Sequence, residues 1–203
     1  MSEAEPLSER QQSEVRHRFA NAIQLVSALT RMRMQRAQDE QAKRQFSWLV
    51  DATGVIGLVQ QRRLGAEPDD LGGLLRDMSP QWRRRCTGRP IQLNLAIDPL
   101  TAREHVMSAV AMVANELVTN ALAHAFADQR AGCISVELRA LEDGKAELIV
   151  SDDGCGYDPD TVGRSSLGLW LIQGLAQQVR GELTTTTEGG VKVRLAFAVQ
   201  QEG

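Results

Sequence analysis

The chain has 203 residues, of which 42% are hydrophobic and 24% are charged, and its formal net charge is −3. A chain of this size forms one large domain or two small ones, and it buries enough apolar surface to fold without disulfides or metals. The mildly acidic balance does not favour a protein that coats nucleic acid. Three scattered cysteines exclude a disulfide framework and lack the spacing of a zinc site.

The sequence contains neither an apolar run of the roughly 20 residues that a membrane span needs nor a signal-peptide core. We therefore expect a cytoplasmic protein with no membrane partner. Nothing in the composition is typical of a sensor domain, so we expect any input signal to arrive through an upstream sensor protein.

Two long helical patterns without proline fill the first third of the chain, at about residues 8–38 and 40–64. In the first pattern, apolar side chains step by four and three along one face: Val15, Phe19, Ala22, Val26 and Leu29. The second pattern repeats this stepping, so we predict an antiparallel helical hairpin. Because a lone hairpin buries little, we expect a homodimer in which two hairpins form a four-helix bundle. The alternative is that the hairpin packs on the rest of its own chain.

The pattern changes near residues 65–70, which predicts a first domain of residues 1–65 and a second of residues 66–203. In the second domain we predict strands at 91–97, 134–139, 146–150, 182–187 and 191–198, and helices at 101–126 and 167–179. Asp143-Gly144 and Gly189-Gly190 supply turns between neighbouring strands. This order predicts an α+β fold with a mixed sheet and helices on one face.

The helix at 101–126 carries polar residues spaced by four, Glu116, Asn120 and His124, beside its apolar stripe. They share one ridge at the edge of the core, where a polar group without a partner is costly. An amide oxygen such as that of Asn120 suits Mg²⁺, and Glu116 could orient or deprotonate an attacking group. The spacing alone is equally compatible with a solvated polar face.

Two segments with glycine follow this helix. The first places Asp152 at the end of a strand, before Gly154 and Gly156, where a carboxylate can accept a hydrogen bond from an exocyclic amine such as that of adenine. The second begins a helix with serines and Gly168, whose free backbone N–H groups can bind phosphate. Taken separately, they also fit an ordinary turn and an ordinary capped helix.

In this order the three segments resemble the motifs of the GHKL ATPases, a superfamily that contains gyrase, Hsp90, MutL and the histidine kinases. Residues 115–121 resemble the N box, 152–156 the first glycine box and 166–169 the second. The resemblance covers about residues 66–198 and implies a Bergerat-type α/β sandwich that binds ATP. It implies that Asn120 ligates Mg²⁺, that Glu116 acts as base or orienting group, and that Asp152 binds adenine. The residues assigned to nucleotide binding are Asn120, His124, Asp152, Gly154, Gly156, Ser166 and Gly168.

Residues 14–21 resemble the phosphoacceptor box of histidine kinases with the motif Glu-x-x-His-Arg-x-Lys-Asn, except that Ala20 replaces the lysine. With Phe19 and Ala22 on the seam of the bundle, His17 falls on the position that points away from it. An exposed imidazole with one free ring nitrogen is what in-line attack on a γ-phosphate requires. Without the glycine boxes, a bystander surface histidine would be the simpler interpretation.

We therefore predict a histidine kinase that autophosphorylates His17 with Mg-ATP and transfers the phosphoryl group to an aspartate of a response-regulator receiver domain. The alternative is a dimeric histidine phosphotransferase with a degenerate sandwich that relays phosphate between receiver domains without ATP. Ala20 favours it, as does Ser165, which stands where a glycine usually precedes the second glycine box. An anti-sigma-factor serine kinase shares the N box but does not need a hairpin with His17, and gyrase- or Hsp90-like ATPases have further domains.

Overall fold

The computed structural model describes residues 9–62, 69–126, 130–156 and 167–200. Its chain divides into two compact units, Met1–Ala66 and Glu67–Gly203. We call them the hairpin unit and the sheet unit and describe each by itself.

The hairpin unit consists of α1 (Glu9–Arg36) and α2 (Glu40–Arg62), which pack against each other. The link is short because Asp39 starts α2 at once: its Oδ2 accepts a hydrogen bond from the backbone N–H of Ala42 at 2.8 Å. Between the helices, Ser27 Oγ donates to Thr53 Oγ1 at 2.7 Å. One turn away, Ile23 lies opposite Gly57. These pairs define an antiparallel hairpin, as predicted.

The contact between the two helices does not use the apolar stripe of the sequence pattern. Ile23 and Ser27 are half-buried on the side that faces α2. The stripe itself faces outward, with 56% of Val15, 47% of Phe19 and 52% of Leu29 exposed. The hairpin thus forms through one face of α1, and α2 does not cover the second, apolar face.

Within its described residues, the sheet unit contains three α-helices, one π-helical turn and five strands. Its elements are α3 (Leu71–Cys86), β1 (Ile91–Ile97), α4 (Glu104–Asn120), a π-helical turn (Ala121–Ala125), β2 (Gly132–Ala140), β3 (Lys145–Asp152), α5 (Leu167–Gln178), β4 (Glu182–Thr186) and β5 (Val191–Ala198). The strand order is β1-β2-β3-β5-β4. Because β1 pairs with β2 in parallel and all other pairs are antiparallel, the sheet is mixed and the α+β prediction is confirmed.

Strand register aligns the apolar residues on one face of the sheet. The central row joins Leu138, Leu148 and Leu195 across three neighbouring strands, and none of these side chains is exposed. The predicted stripe of α4 is buried as well: Val106, Val110, Val113, Leu117 and Ala121. On the opposite face, Glu147 bonds to Arg139 and Arg194 from the two flanking strands. The apolar face of the sheet and the stripe of α4 thus form the core of this unit.

A tight turn joins β2 to β3, as the Asp143-Gly144 pair predicts. Both residues have positive φ, 57° for Asp143 and 66° for Gly144. Two residues with φ > 0 match the twist of a hairpin, which explains why this dipeptide occurs there.

Helix α3 was not among the predicted elements, because Gly72, Gly73 and Pro80 interrupt its pattern. The structure offsets each interruption locally. Asp70 caps the helix by accepting a hydrogen bond from the N–H of Gly73 at 2.8 Å. Pro80 cannot donate to the carbonyl of Arg76, and the hydroxyl of Ser79 donates to that carbonyl at 2.8 Å.

Contrary to the expectation from the sequence, one stretch, Glu104–Ala125, is long and apolar enough by length and composition to span a membrane. It comprises α4 and the π-helical turn, and 72% of its most apolar window is buried in this unit. Its apolar composition is therefore explained by its place as the core helix of the sheet unit.

Candidate functional site

A cavity of about 430 Å³ opens in the sheet unit between α4, the start of α5 and strands β3, β4 and β5. Six of the residues predicted for nucleotide binding or catalysis line it: Glu116, Asn120, His124, Asp152, Gly156 and Gly168. Their three segments are far apart in sequence, and the fold brings them around one space. Of the other predicted residues, Gly154 does not line the cavity, His17 belongs to the hairpin unit, and Ser166 lies outside the described residues.

The floor of this cavity is apolar. It is formed by Leu117, Val150, Leu169, Ile172, Leu183, Val191 and Val193. Sequence reasoning did not assign these residues to the site, although strand alternation places Val150 and Val193 on the same face of the sheet. An apolar lining with few polar groups at its edge suits an aromatic ring system.

The polar ridge of α4 forms one wall of the cavity. Glu116 is 7% exposed, Asn120 is half-buried and His124 is exposed. Asn120 has no hydrogen-bond partner among the residues that the structure describes, so its amide is available to a ligand. Position 124 lies in the π-helical turn, which is wider than an α-helical turn and shifts the imidazole from the direction that the spacing of four predicts.

Two contacts hold the π-helical turn in place. The N–H of Cys155 donates to the carbonyl of Ala125 at 3.0 Å, and Arg89 Nη1 donates to the carbonyl of Leu122 at 2.8 Å. Both bonds satisfy carbonyls at the end of a helix, which have no partner within it. Gly154 packs so closely on Ala125 that an added Cβ would overlap it. This glycine therefore lets the loop approach the helix end, behind the cavity wall.

Asp152 stands at the end of β3, half-buried at the cavity edge. Its Oδ1 accepts hydrogen bonds from the N–H groups of Gly154 at 2.9 Å and Val191 at 3.3 Å. Burial raises the pKa of the Asp152 carboxyl, and these two bonds oppose that rise. None of the described residues donates to Oδ2, which leaves this oxygen free to accept a hydrogen bond from a ligand.

Two glycines allow close approach around the acidic residues. Gly190 has a φ of 127° and lies against the carbonyl of Asp152, where a Cβ would overlap. Gly168 lies in the first turn of α5, where a Cβ would overlap the carboxylate of Glu116. The first turn of a helix favours anions because of the helix dipole, and α5 has no acidic residue of its own there. The cavity thus combines an acceptor at one edge with an anion-favouring helix end.

The hairpin unit presents His17 on its surface, as the heptad pattern predicts. Glu14 Oε1 pairs with Arg18 Nη2 at 2.5 Å, four residues along the same helix. Asn21 is also exposed. The imidazole therefore stands on an open, polar face of α1.

The chain matches two family models. Residues 84–197, more than half of it, match a histidine kinase-like ATPase domain, and residues 14–69 match a histidine kinase domain. The chain belongs to the histidine kinase family. This agrees with both resemblances in the sequence, the phosphoacceptor box and the GHKL motifs.

Two curated relatives align with nearly all of this chain. It is 25% identical over 96% of its residues to blue-light-activated histidine kinase 2 of Erythrobacter litoralis. It is 29% identical over 94% to the sensor histidine kinase PdtaS of Mycobacterium tuberculosis. The chain spans 58% and 40% of the length of these two proteins.

A solved structure shares the fold. The histidine kinase domain of the Erythrobacter litoralis EL346 blue-light-activated kinase aligns with a TM-score of 0.72 at 24% identity. The alignment covers 94% of this chain and 91% of that one.

Proposed function

We propose that this protein is a histidine kinase of a two-component system, which autophosphorylates His17 with ATP and passes the phosphoryl group to an aspartate of a receiver domain. The observation that carries the proposal is the cavity, which gathers Glu116, Asn120, Asp152 and Gly168 in one unit, while the other unit exposes His17. The two family matches cover both parts.

Each part of ATP has a suitable partner in the cavity. The adenine ring lies on the apolar floor, and its exocyclic amine donates to the free Oδ2 of Asp152. The phosphates extend toward the first turn of α5, where Gly168 leaves room and the helix dipole favours negative charge. Gly156, with a φ of 68°, lets the loop turn at the rim without a side chain.

Mg²⁺ fits the donor set on the phosphate side. No group of three or more His, Cys, Asp or Glu side chains among the described residues could hold a metal, so the ion would take most of its ligands from phosphates and water. The amide oxygen of Asn120 would supply the protein ligand. When bound, the ion neutralises charge on the phosphates.

Transfer requires His17 to approach the γ-phosphate in line with the bond to ADP. A free ring nitrogen forms the new N–P bond as the bond to the β-phosphate oxygen breaks and ADP leaves. Glu116, which is nearly buried at the phosphate end, orients the attacking imidazole or accepts its proton. His124 stands at the same wall and contacts the nucleotide from the π-helical turn.

The remaining assignments follow from this activity. Residues 1–65 form the dimerisation and phosphotransfer domain, and residues 66–203 form the ATP-binding domain. The exposed stripe of α1 pairs with that of a second copy in a four-helix bundle. The receiver domain, and an upstream sensor where one supplies the signal, meet the kinase in the cytoplasm.

Autophosphorylation tests the proposal directly. The chain has three histidines, and His105 provides a matched control because it does not line the cavity. With γ-labelled Mg-ATP, we expect an acid-labile, base-stable label on the wild type and on His105→Ala but none on His17→Ala. Label that persists on a folded, dimeric His17→Ala variant contradicts the assignment.

A wild type that folds and dimerises but takes no label from ATP would favour the relay alternative. That protein would instead accept phosphate at His17 from a phosphorylated receiver domain. Calorimetry with Mg-ATP separates the two, because the relay does not need a nucleotide.

A further inference from the structure

Strand β1 forms one edge of the sheet, because β2 is its only strand partner within the described residues. At the two ends of this pair, the carbonyl of Pro90 and the N–H of Asp98 bond to β2. In a parallel pair, alternate residues direct their backbone groups to the same neighbour. The even-numbered residues of β1 therefore bond to β2, and the odd-numbered residues direct their N–H and C=O groups to the open edge.

The ends of this open edge have partners within the chain, but its middle does not. The N–H of Ile91 donates to a carbonyl of the preceding turn at 2.8 Å, and Arg76 Nη2 donates to the carbonyl of Ile97 at 2.6 Å. For Leu93 and Leu95, no described residue bonds to the outward N–H and C=O groups. Such a row of backbone groups is a template for pairing with another extended chain.

A groove of about 480 Å³ follows the open edge. On one side it is lined by the end of α3, and on the other by Gln92 and Asn94, whose exposed side chains lie on the outer face of the sheet. A space that touches both faces of β1 lies along its edge. An extended peptide in a groove between a strand edge and a helix gains affinity from main-chain bonds and specificity from alternate side chains.

The α3 side of this groove is basic. Residues 83–89 include four arginines and no acidic residue, although the net charge of the chain is −3. The fold uses two of them, because Arg85 and Arg89 donate hydrogen bonds to the end of α4 and to the π-helical turn. The side chains of Arg83, which lines the groove, and Arg84 are exposed and have no partner among the described residues. Free cations beside the groove favour a partner that carries carboxylates.

We propose that the β1 edge is a docking site for an extended, acidic segment of a partner protein, which adds one strand to the sheet and places a carboxylate beside Arg83. A second copy of this chain fits less well, because pairing of two β1 edges would bring two arginine clusters together. The groove shares no lining residue with the ATP cavity, so the inference does not depend on the proposed function.

A labelled heptapeptide of alternating threonine and glutamate tests the proposal on the whole chain by fluorescence anisotropy. In an extended strand all its glutamates lie on one face, which can meet Arg83. We expect saturable binding that weakens at least about tenfold when lysine replaces glutamate. Arg83→Gln should weaken binding by about threefold to tenfold. Arg103→Gln is the matched control, because Arg103 is exposed at the start of α4 and does not line the groove. It should stay within about twofold of the wild type.

N-methylation of the peptide tests the main-chain pairing separately from charge. Along a strand, the N–H groups of successive residues point to opposite edges, so β1 bonds either to those of the threonines or to those of the glutamates. We expect one of the two N-methylated peptides to bind about tenfold or more weakly, since several hydrogen bonds are lost. The other should bind within about threefold of the parent peptide.

Four results would overturn the inference. The first is equal binding of the two N-methylated peptides, which would indicate a contact through charge alone. The second is an unchanged affinity of Arg83→Gln, and the third is no binding of the glutamate peptide up to about 1 mM. The fourth is an oligothymidine that binds more tightly than the peptide, which would assign the arginines to nucleic acid.

Discussion

Leu148 in the sheet unit and Leu29 in the hairpin unit are the same residue type in opposite surroundings. None of Leu148 is exposed, whereas 52% of Leu29 is. Leu148 is covered by neighbours from two strands and from the helix layer, all supplied by its own unit. Leu29 belongs to a stripe whose members are about half exposed. The sheet unit therefore completes its own core, while the hairpin unit has an apolar face that only another surface can bury.

The largest effect is expected from truncating the two leucines in turn. Leu148→Ala removes packing atoms from a fully enclosed site and should lower the free energy of unfolding by about 2–5 kcal/mol. Leu29→Ala removes partly exposed atoms and should leave the sheet unit as stable as in the wild type. Hydrogen exchange read separately for each unit in increasing urea gives both values. If both variants lowered the stability of the sheet unit equally, the proposed difference between an enclosed core and an exposed stripe would be wrong.

A charge on the stripe sharpens the same comparison. In a dimer through the hairpin, Leu29→Asp would bury an unpaired carboxylate and should weaken association by roughly a hundredfold or more. Gln24→Asp adds the same charge at an exposed position on the helix face of His17, outside the stripe, and should leave the dimer intact. Sedimentation equilibrium measures both. A dimer that survives Leu29→Asp would place the interface elsewhere.

Two glycines of α5 separate tight packing from helix propensity. Gly168→Ala adds a methyl where the carboxylate of Glu116 stands, and we expect overpacking of about 1–3 kcal/mol and a loss of ATP affinity. Gly174 has nothing within 4 Å of an added Cβ, so Gly174→Ala should stabilise the helix by about 0.5–1 kcal/mol without changing affinity. Thermal unfolding and calorimetry give the two readouts. Similar behaviour of both variants would contradict the close approach at Gly168.

The smallest effect concerns pH. Because burial raises the pKa of Asp152, its carboxyl takes up a proton at a higher pH than an ordinary aspartate does. Only the ionised form accepts two donors and the adenine amine, so ATP affinity should fall as the pH falls through this raised pKa. Calorimetry of the wild type and Asp152→Asn across the acidic range measures the ratio of affinities, in which titration of the phosphates cancels.

The raised pKa of Asp152 also affects stability, and here the pH dependence runs opposite to that of ATP affinity. The folded-state pKa lies above the unfolded-state value, so folding binds the proton more tightly. The free energy of unfolding should therefore decrease as the pH rises from the unfolded-state pKa through the folded-state pKa. Asp152→Asn should lose this slope. Urea unfolding of both proteins checks it, and a slope retained in the variant would assign it to another group.

Much of the fold could be predicted because its signals are local. Alternation marked the strands, the stripe from Val106 to Ala121 marked the core helix, and Asp143-Gly144 marked the turn. Helix α3 was not predicted, because the side chains that stabilise it weaken a helical sequence pattern. Asp70 caps its start, and the Ser79 hydroxyl donates to the carbonyl that Pro80 leaves without a backbone donor. The π-helical turn was not predicted either, since it is held by hydrogen bonds from Arg89 and Cys155, which are about 30 residues away from it in sequence.

The spacing of Glu116, Asn120 and His124 on one ridge could be predicted from the amino-acid sequence, because helical periodicity is a property of neighbouring residues. The same periodicity predicted that His17 lies off the apolar stripe. Three placements required the folded chain: Gly168 against Glu116, Gly154 behind the cavity wall instead of in the lining, and Val150 beside Val193 in the same cavity. Such placements depend on strand register and helix packing between segments tens of residues apart. A pattern within one segment carries no information about which distant segment will approach it.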